Sequence, residues 1–339
     1  MSTHAIPLVR ASAFLPFIKF LDQINSPTEQ LLQQAKVPVF ALEDPEALIP
    51  LHRGWIFLEQ AAQLEGIDNL GILVGQQTEI SDLGTFGHLL CQSLTLFDLL
   101  TTLERMINTY NSGEQLWMVQ EGDRAGLHHR YSSPPTFGSQ QARLYAVLIY
   151  LKVFQLVLGQ AWQPIAIHLE VSPSKSLTNI EMFAHIQIVF DQPSSAIIFP
   201  RSLLSSPLQQ LAPLHALKYQ SDYETLQSSA PSPNFLESLR QLLRSLLRDG
   251  YPNINLAAEI AGMSPRSLQR RLAENDLSYS HLVEKVRFEM AVDLLQNANI
   301  KLIEISAELG YTDAANFTRA FKRWAGISPR EFRNQHMKA

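Results

Sequence analysis

The spacing of apolar and polar positions changes character part-way along the chain. In the first two-thirds it is mixed. Helical periodicity at 11–24, 51–65, 94–109 and 140–160 is interleaved with short alternating or β-branched runs at 115–121, 126–131, 165–171, 183–190 and 195–199, which read as strands. That succession predicts an α+β domain. From Leu203 to Ser232 the chain is rich in Ser, Pro and Gln, as in SSPLQQLAP and SSAPSP, which predicts a connecting stretch. The organisation expected is a first domain over 1–215, a linker over 216–233 and a second domain over 234–339.

Beyond the linker the periodicity is helical throughout. LESLRQLLRSLLRDG places Leu239, Leu242, Leu243, Leu246 and Leu247 on one face, with Gly250 and Pro252 as a stop. NINLAAEIAG predicts a short helix ending at Gly262. Ser264 and Pro265 then suit the N-cap and first position of PRSLQRRLAEN: the serine oxygen accepts an orphan amide, and proline has no N–H to lose there. A longer helix over 280–297 carries a stripe of Val283, Val286, Met290 and Leu294. IEISAELG predicts another short helix ending at Gly310, with Thr312 as the cap of DAANFTRAFKRW. In GISPREF, Ser328, Pro329 and Glu331 form a capping box that opens a last helix.

This half repeats itself. Gly262 and Gly310 are 48 apart, while Leu268 and Phe317, and Arg270 and Arg319, are 49 apart. Each unit is a short helix, a glycine turn and a capped second helix, the helix-turn-helix pattern in which the second helix enters the major groove. With Leu268 and Leu272 facing inward, Arg266, Ser267, Gln269 and Arg270 fall on or beside the outer face. Phe317 and Phe321 do the same for the second unit, leaving Ala315, Asn316, Thr318 and Arg319 outward and turning Lys322 and Arg323 toward a phosphate backbone. Arginine bridges guanine O6 and N7, and glutamine or asparagine bridges adenine N6 and N7, so these residue types suit base edges.

Charge is divided between the halves. Residues 234–339 carry 15 Lys+Arg against 12 Asp+Glu, a balance of +3, which leaves −8 on residues 1–233 of the total −5. A balance of +3 is too small to indicate nucleic acid, so the placement of the charges must decide. Cys91 is the sole cysteine, so no intramolecular disulfide forms, and a reducing cytoplasm is the expected compartment. MSTHAIPLVRASAFLPF does not read as a secretory signal. Tyr145 to Gly159, interrupted by Lys152 and Gln155, is expected to be a buried helix and no membrane contact is expected.

From about Asn253 to Phe332 the chain resembles the AraC/XylS transcription regulators. The matching segments are AAEIAGMSPRSLQRRL, VRFEMAVDLL and IEISAELGYTDAANFTRAFKRWAGISPREFR. The resemblance implies an all-α DNA-binding domain of two helix-turn-helix units joined by a linker helix, reading successive major-groove faces of double-stranded DNA. Carried over by position, Arg266, Gln269 and Arg270 are base readers of the first unit, with Ser267 beside them added from its place on the outer face, and Asn316, Thr318 and Arg319 are those of the second. Arg287, Lys322 and Arg323 are assigned to phosphates. Ala315 departs from the pattern, standing where relatives often have a serine. SDLGTFGHLLCQSLTLFDLLTTLERM, residues 81–106, resembles the arabinose-binding-like sensing or dimerisation domain of one branch of these regulators. A small-molecule effector, a homodimer and an RNA polymerase contact are the further partners that this implies.

Other chemistry is less well supported. His128 and His129 are adjacent, so on a strand they point to opposite faces and ligate poorly together; with no HExxH present, no metal site is expected. His88 reads as a helix or pocket residue and Cys91 as a small buried one. Phe86, Phe97, Tyr145, Tyr150 and Phe154 suit a ligand cavity or simply a core, and core is preferred. The chain holds no GxGxxG, GxxxxGK[ST] or GxSxG, so neither a cofactor nor an enzyme is expected. The alternative function is an N-terminal ligand-binding or enzymatic module whose C-terminal helices mediate protein contacts.

Overall fold

The computed structural model describes residues 5–132, 138–174, 177, 183, 185–208 and 216–336. It divides into two compact units, Pro7–Pro231 and Ser232–Ala339, the second also taking in Met1–Ile6.

The first unit is α+β. β1 (Leu8–Arg10) pairs antiparallel with β2 (Leu48–Pro50), and between them lie α1 (Leu15–Gln23) and α2 (Thr28–Ala35). Then follow α3 (Leu51–Glu65), α4 (Leu70–Gln77), α5 (Gly84–Leu90), α6 (Leu96–Tyr110), β3 (Glu114–Glu121), β4 (Arg124–Tyr131) and α7 (Ser139–Leu158). β5 (Ala166–His168), β6 (Gln187–Val189) and β7 (Ser195–Pro200) complete a sheet in the order β3-β4-β7-β5-β6, antiparallel except for β5 with β6. All five strands expected from the pattern are present, although residue 184 of the run at 183–190 lies outside the described residues.

Alternation along β4 fixes the faces of the sheet. Ala125, Leu127, His129 and Tyr131 are buried, while Arg124 and Arg130 are exposed. The inner face meets α7, where Phe154 packs against Phe199 with ring centroids 4.7 Å apart. α7 is apolar enough to cross a bilayer by length and composition, yet 78% of its most apolar window is buried inside this unit. That is the buried helix expected from Tyr145 to Gly159. α4 approaches α7 so closely that a Cβ on Gly71 would lie 2.1 Å from the Gln141 carbonyl oxygen; only glycine fits there. Gln141 reinforces the contact by accepting from the Gly71 N–H at 3.0 Å and donating to the Asp68 carbonyl at 3.1 Å.

The expected linker is different. Within 216–233 the chain forms α8 (Ala216–Ser228), and Leu226 is 0% exposed in the core of the first unit. The cause is a buried arginine, which composition did not reveal. Arg10 donates to the carbonyls of Thr109 (2.9 Å) and Leu226 (3.0 Å) and pairs with Glu46 (3.0 Å), so it ties β1, α6 and α8 together. Residues 209–215, which include the expected domain boundary, lie outside the described residues.

The second unit is all helical: α9 (Phe235–Leu247), α10 (Ile254–Ile260), α11 (Pro265–Ala273), α12 (Tyr279–Leu295), α13 (Leu302–Glu308), α14 (Ala314–Ala325) and α15 (Pro329–His336). α9 buries the five leucines that its periodicity predicted. It lies beside α12 through Arg240–Glu289 (3.1 Å), Arg244–Glu289 (3.5 Å) and Arg244–Asp293 (3.3 Å), and Arg248 pairs with Glu308 of α13. Ile6 also joins this unit, its N–H donating to Ser238 Oγ at 3.0 Å. On α12 the expected stripe is rotated toward its C-terminal end: Val283 and Val286 are buried, but Ala291 and Leu295 take the places expected for Met290 and Leu294, which are half-buried. α12 has neighbours on several sides, so no single stripe describes it.

Candidate nucleic-acid interface

The two repeated units are built by the same backbone contacts. In the first, Gly262 is left-handed (φ 72°), its N–H donates to the Glu259 carbonyl at 3.1 Å, and the Met263 N–H donates to Ala258 at 2.9 Å. In the second, Gly310 is left-handed (φ 67°), its N–H donates to Ala307 at 2.8 Å, and the Tyr311 N–H donates to Ser306 at 2.9 Å. Every partner is displaced by 48 residues.

The displacement becomes 49 at the next cap. Ser264 Oγ accepts from the Ser267 N–H at 3.2 Å, and its counterpart is Asp313, whose Oδ1 accepts from the Asn316 N–H at 2.8 Å. Thr312, the expected cap, is exposed and precedes it. A turn longer by one residue in the second unit therefore explains why the glycines repeat at 48 and the helices at 49. A carboxylate at this cap also complements the positive end of the helix better than a hydroxyl.

Each second helix buries one face and exposes the other. On α11, Leu268 and Leu272 are 0% and 1% exposed. Arg266, Gln269 and Arg270 are exposed, and Ser267 is half-buried with its hydroxyl 2.9 Å from Ser264 Oγ. Arg270 lies 3.9 Å from Glu274, a loose pair with both side chains more than half exposed, so its guanidinium stays available at little cost.

On α14, Phe317 and Phe321 are 0% exposed and pack with Phe288, Trp324 and Phe332. Outward, Asn316 Nδ2 donates to Asp313 and Asn316 Oδ1 accepts from Arg319 at 2.6 Å, a relay of three polar side chains. Thr318 turns its hydroxyl back to the Ala314 carbonyl at 2.8 Å, which leaves its methyl group as the outward chemistry. Lys322 and Arg323 are exposed, Arg323 reaching Glu284 at 2.9 Å.

Arg287 differs from the expectation that it contacts phosphate. It is 8% exposed, its Nη2 donates to the Gly310 carbonyl at 2.8 Å, and its guanidinium lies 4.2 Å from the Tyr311 ring and 5.1 Å from that of Tyr251. It holds the turn of the second unit against α12. The sequence carried the signal: Arg287 follows Val283 by four residues and so shares the buried face.

Placement adds to what the net balance gave. Arg240, Arg244 and Arg248 are paired with carboxylates within the unit, Arg287 is buried, and Arg333 donates to the Ile300 carbonyl at 2.8 Å. Arg266, Arg270, Arg319, Lys322 and Arg323 are exposed on the two second helices, Arg323 while paired with Glu284, and Lys285, Lys301 and Arg330 are exposed on other helices or turns of the unit. Basic charge is thereby displayed on the surfaces that a helix-turn-helix turns toward a duplex.

The pattern-based reading of the first unit is mixed. His129 (2% exposed) and His128 point to opposite faces of β4 as expected, and His88 is exposed on α5. Burial pushes the half-buried Cys91 thiol up. Phe86, Tyr145, Tyr150 and Phe154 are core residues, but Phe97 is 49% exposed.

Two capped helices in one compact unit, each with a polar outward face, define a tandem helix-turn-helix DNA-binding domain. Residues 257–335 match a family described as a helix-turn-helix domain, and residues 27–208 match the arabinose-binding domain of AraC transcription regulators, N-terminal. The second match spans more than half of the chain, which belongs to the AraC family of transcription regulators. An HTH-type transcriptional regulator of Mycobacterium tuberculosis is 26% identical over 321 residues, 90% of each chain. The ornithine utilization regulator of Pseudomonas aeruginosa is 24% identical over 340 residues, 98% of this chain and 97% of the other. The crystal structure of the transcriptional regulator CdpR from Pseudomonas aeruginosa aligns at 22% identity with a TM-score of 0.39, covering 91% of this chain and 96% of that one.

Proposed function

We infer that this DNA-binding transcription regulator acts in the cytoplasm by placing α11 and α14 in successive major-groove faces of one duplex. Arg266, Ser267, Gln269 and Arg270 read one block of bases, and Asn316, Thr318 and Arg319 a second. Thr318 reads through its methyl group, which suits a thymine methyl, because its hydroxyl is committed to its own helix. Lys322 and Arg323 neutralise phosphates; Arg287 positions the second unit instead. The first unit senses a small-molecule effector or forms a homodimer, altering how the helices engage DNA, and the bound complex contacts RNA polymerase.

One observation carries this reading: exposed Arg266, Gln269 and Arg270 on α11 and exposed Arg319, with half-buried Asn316, on α14 lie opposite buried Leu268 and Leu272, and Phe317 and Phe321, which repeat in the same 49-residue register as Arg270 and Arg319. The test is selection of duplexes from a random pool by the full chain. Two preferred blocks about 10 base pairs apart are expected. Arg270→Ala and Arg319→Ala should each relax one block, at a discrimination of about 1–3 kcal/mol, while leaving the salt dependence nearly unchanged. Uniform weakening on every sequence would remove them from the readers.

A further inference from the structure

The first unit holds a cavity of about 60 Å³ beside α6, α7 and the start of β3. Leu83, Leu103, Ile107, Ile149 and Val153 make part of its wall hydrocarbon. The polar part is contributed by Tyr110, Tyr131, Tyr145, Tyr150, Asn111 and Glu114, none of them more than 8% exposed. Burial pushes all four phenols upward, so they line the wall as neutral hydroxyls. Glu114 is the one residue of the wall that brings a formal charge.

Its carboxylate is held by neutral donors, Tyr150 Oη at 2.5 Å and Asn111 Nδ2 at 3.2 Å. His129 Nδ1 stands 3.2 Å away, yet neither ring nitrogen makes an aligned hydrogen bond. Arg143, the nearby cation, is committed to Glu170. The hydroxyls of Tyr110 and Tyr145 are buried beside those of Ser12 and Thr78, to which they can donate, and Thr78 donates in turn to the Val74 carbonyl. Each phenol oxygen keeps a lone pair with which to accept.

Such a wall asks for a donor-rich cation. An anionic ligand would meet Glu114 with no Lys or Arg among the lining residues, and a hydrocarbon would leave Glu114 with no cation on the wall. An ammonium gives Glu114 a counter-ion and gives both hydroxyl oxygens a proton to accept. We propose that this cavity binds the protonated head of a small primary alkylamine, with Glu114 as its counter-ion and the Tyr110 and Tyr145 hydroxyls as acceptors. A cavity of about 150 Å³ holds a benzene, so this one takes an ammonium group and about two or three carbons. The inference rests on reading the first unit as the sensing domain.

Thermal unfolding of the full chain in n-propylammonium chloride, 1-propanol, sodium propionate and a sodium chloride blank of equal ionic strength tests it. Propylammonium is expected to raise the midpoint with concentration, as a ligand of the folded state must. Propanol and propionate should bind at least tenfold more weakly. Glu114→Gln should abolish that preference, and Ala146→Val, which adds two carbons to the cavity wall without touching its polar groups, should abolish binding with the circular dichroism spectrum retained. The proposal is overturned if no amine stabilisation occurs, if propanol or propionate binds as well, or if Ala146→Val binds as the parent does. If Glu114→Gln does not fold, the ligand series and Ala146→Val decide alone. The random-pool selection run on the same protein separates the two ideas: selected DNA without amine binding removes only the cavity, and amine binding without selected DNA removes only the DNA reading.

Discussion

Replacing Arg287 by alanine tests whether the second unit is held by an internal arginine or that side chain faces DNA. The change removes a hydrogen bond of 2.8 Å from a charged donor to the Gly310 carbonyl and two ring contacts, at 4.2 and 5.1 Å. A hydrogen bond to a charged group contributes about 1.5–3 kcal/mol. Each ring face adds about 0.5–1 kcal/mol. Regained side-chain entropy offsets part of this, leaving a net loss of about 2–3 kcal/mol at a site only 8% exposed. Local opening of α13 and α14 should then become about thirty- to a hundred-and-fifty-fold more frequent. Amide hydrogen exchange read by mass spectrometry on peptides from 302–325 measures this directly, with peptides of the first unit as the unchanged reference. Lys322→Ala supplies the contrast: exchange unchanged, and the slope of log affinity against log salt reduced by about 0.9 for one lost phosphate contact. If Arg287→Ala lowered the salt slope and left exchange unaltered, the buried placement of Arg287 would be refuted and its role as a phosphate ligand restored.

Two further outcomes are expected. Leu226→Ala should free α8 from the first unit at a cost of about 2–5 kcal/mol, since Leu226 is 0% exposed, and limited proteolysis should then cut within 216–231; resistance equal to the parent would mean that α8 is not anchored there. His128 and His168 have their imidazole pKa lowered, chiefly by burial and for His128 also by His168 nearby, so the unfolded chain takes up protons first as pH falls. Their contribution to stability is therefore full above the ordinary imidazole range and is lost as pH falls through it. A variant with His128→Asn and His168→Gln should show a smaller drop in melting temperature between pH 8 and 5.5 than the parent; an equal drop would assign the pH dependence to other groups.

What the sequence determined by itself is what depends on short-range order. Period-two and helical spacing placed the five strands of the larger sheet, though not β1 and β2, and the helices of the second unit, because burial of one face is written directly into residue spacing. The Gly262 and Gly310 turns and the Ser264 cap were legible for the same reason, each being a conformational demand met within a few residues. The outward faces of α11 and α14 followed from the inward Leu and Phe residues.

What only the tertiary structure decided depends on partners distant in the chain. The stretch at 216–228 looked like a linker because its composition is polar; it is a helix in the first unit because Arg10, more than 200 residues earlier, reaches the Leu226 carbonyl. Arg287 looked like a phosphate ligand because it is an arginine between two DNA-reading units, but Tyr251, Tyr311 and the Gly310 carbonyl enclose it. The cavity beside Glu114 gathers residues from α6, β3 and α7, and no window of sequence contains them together. Spacing reports which face of an element turns inward; what it meets there, and whether a buried charge finds its partner, is fixed only when the elements pack.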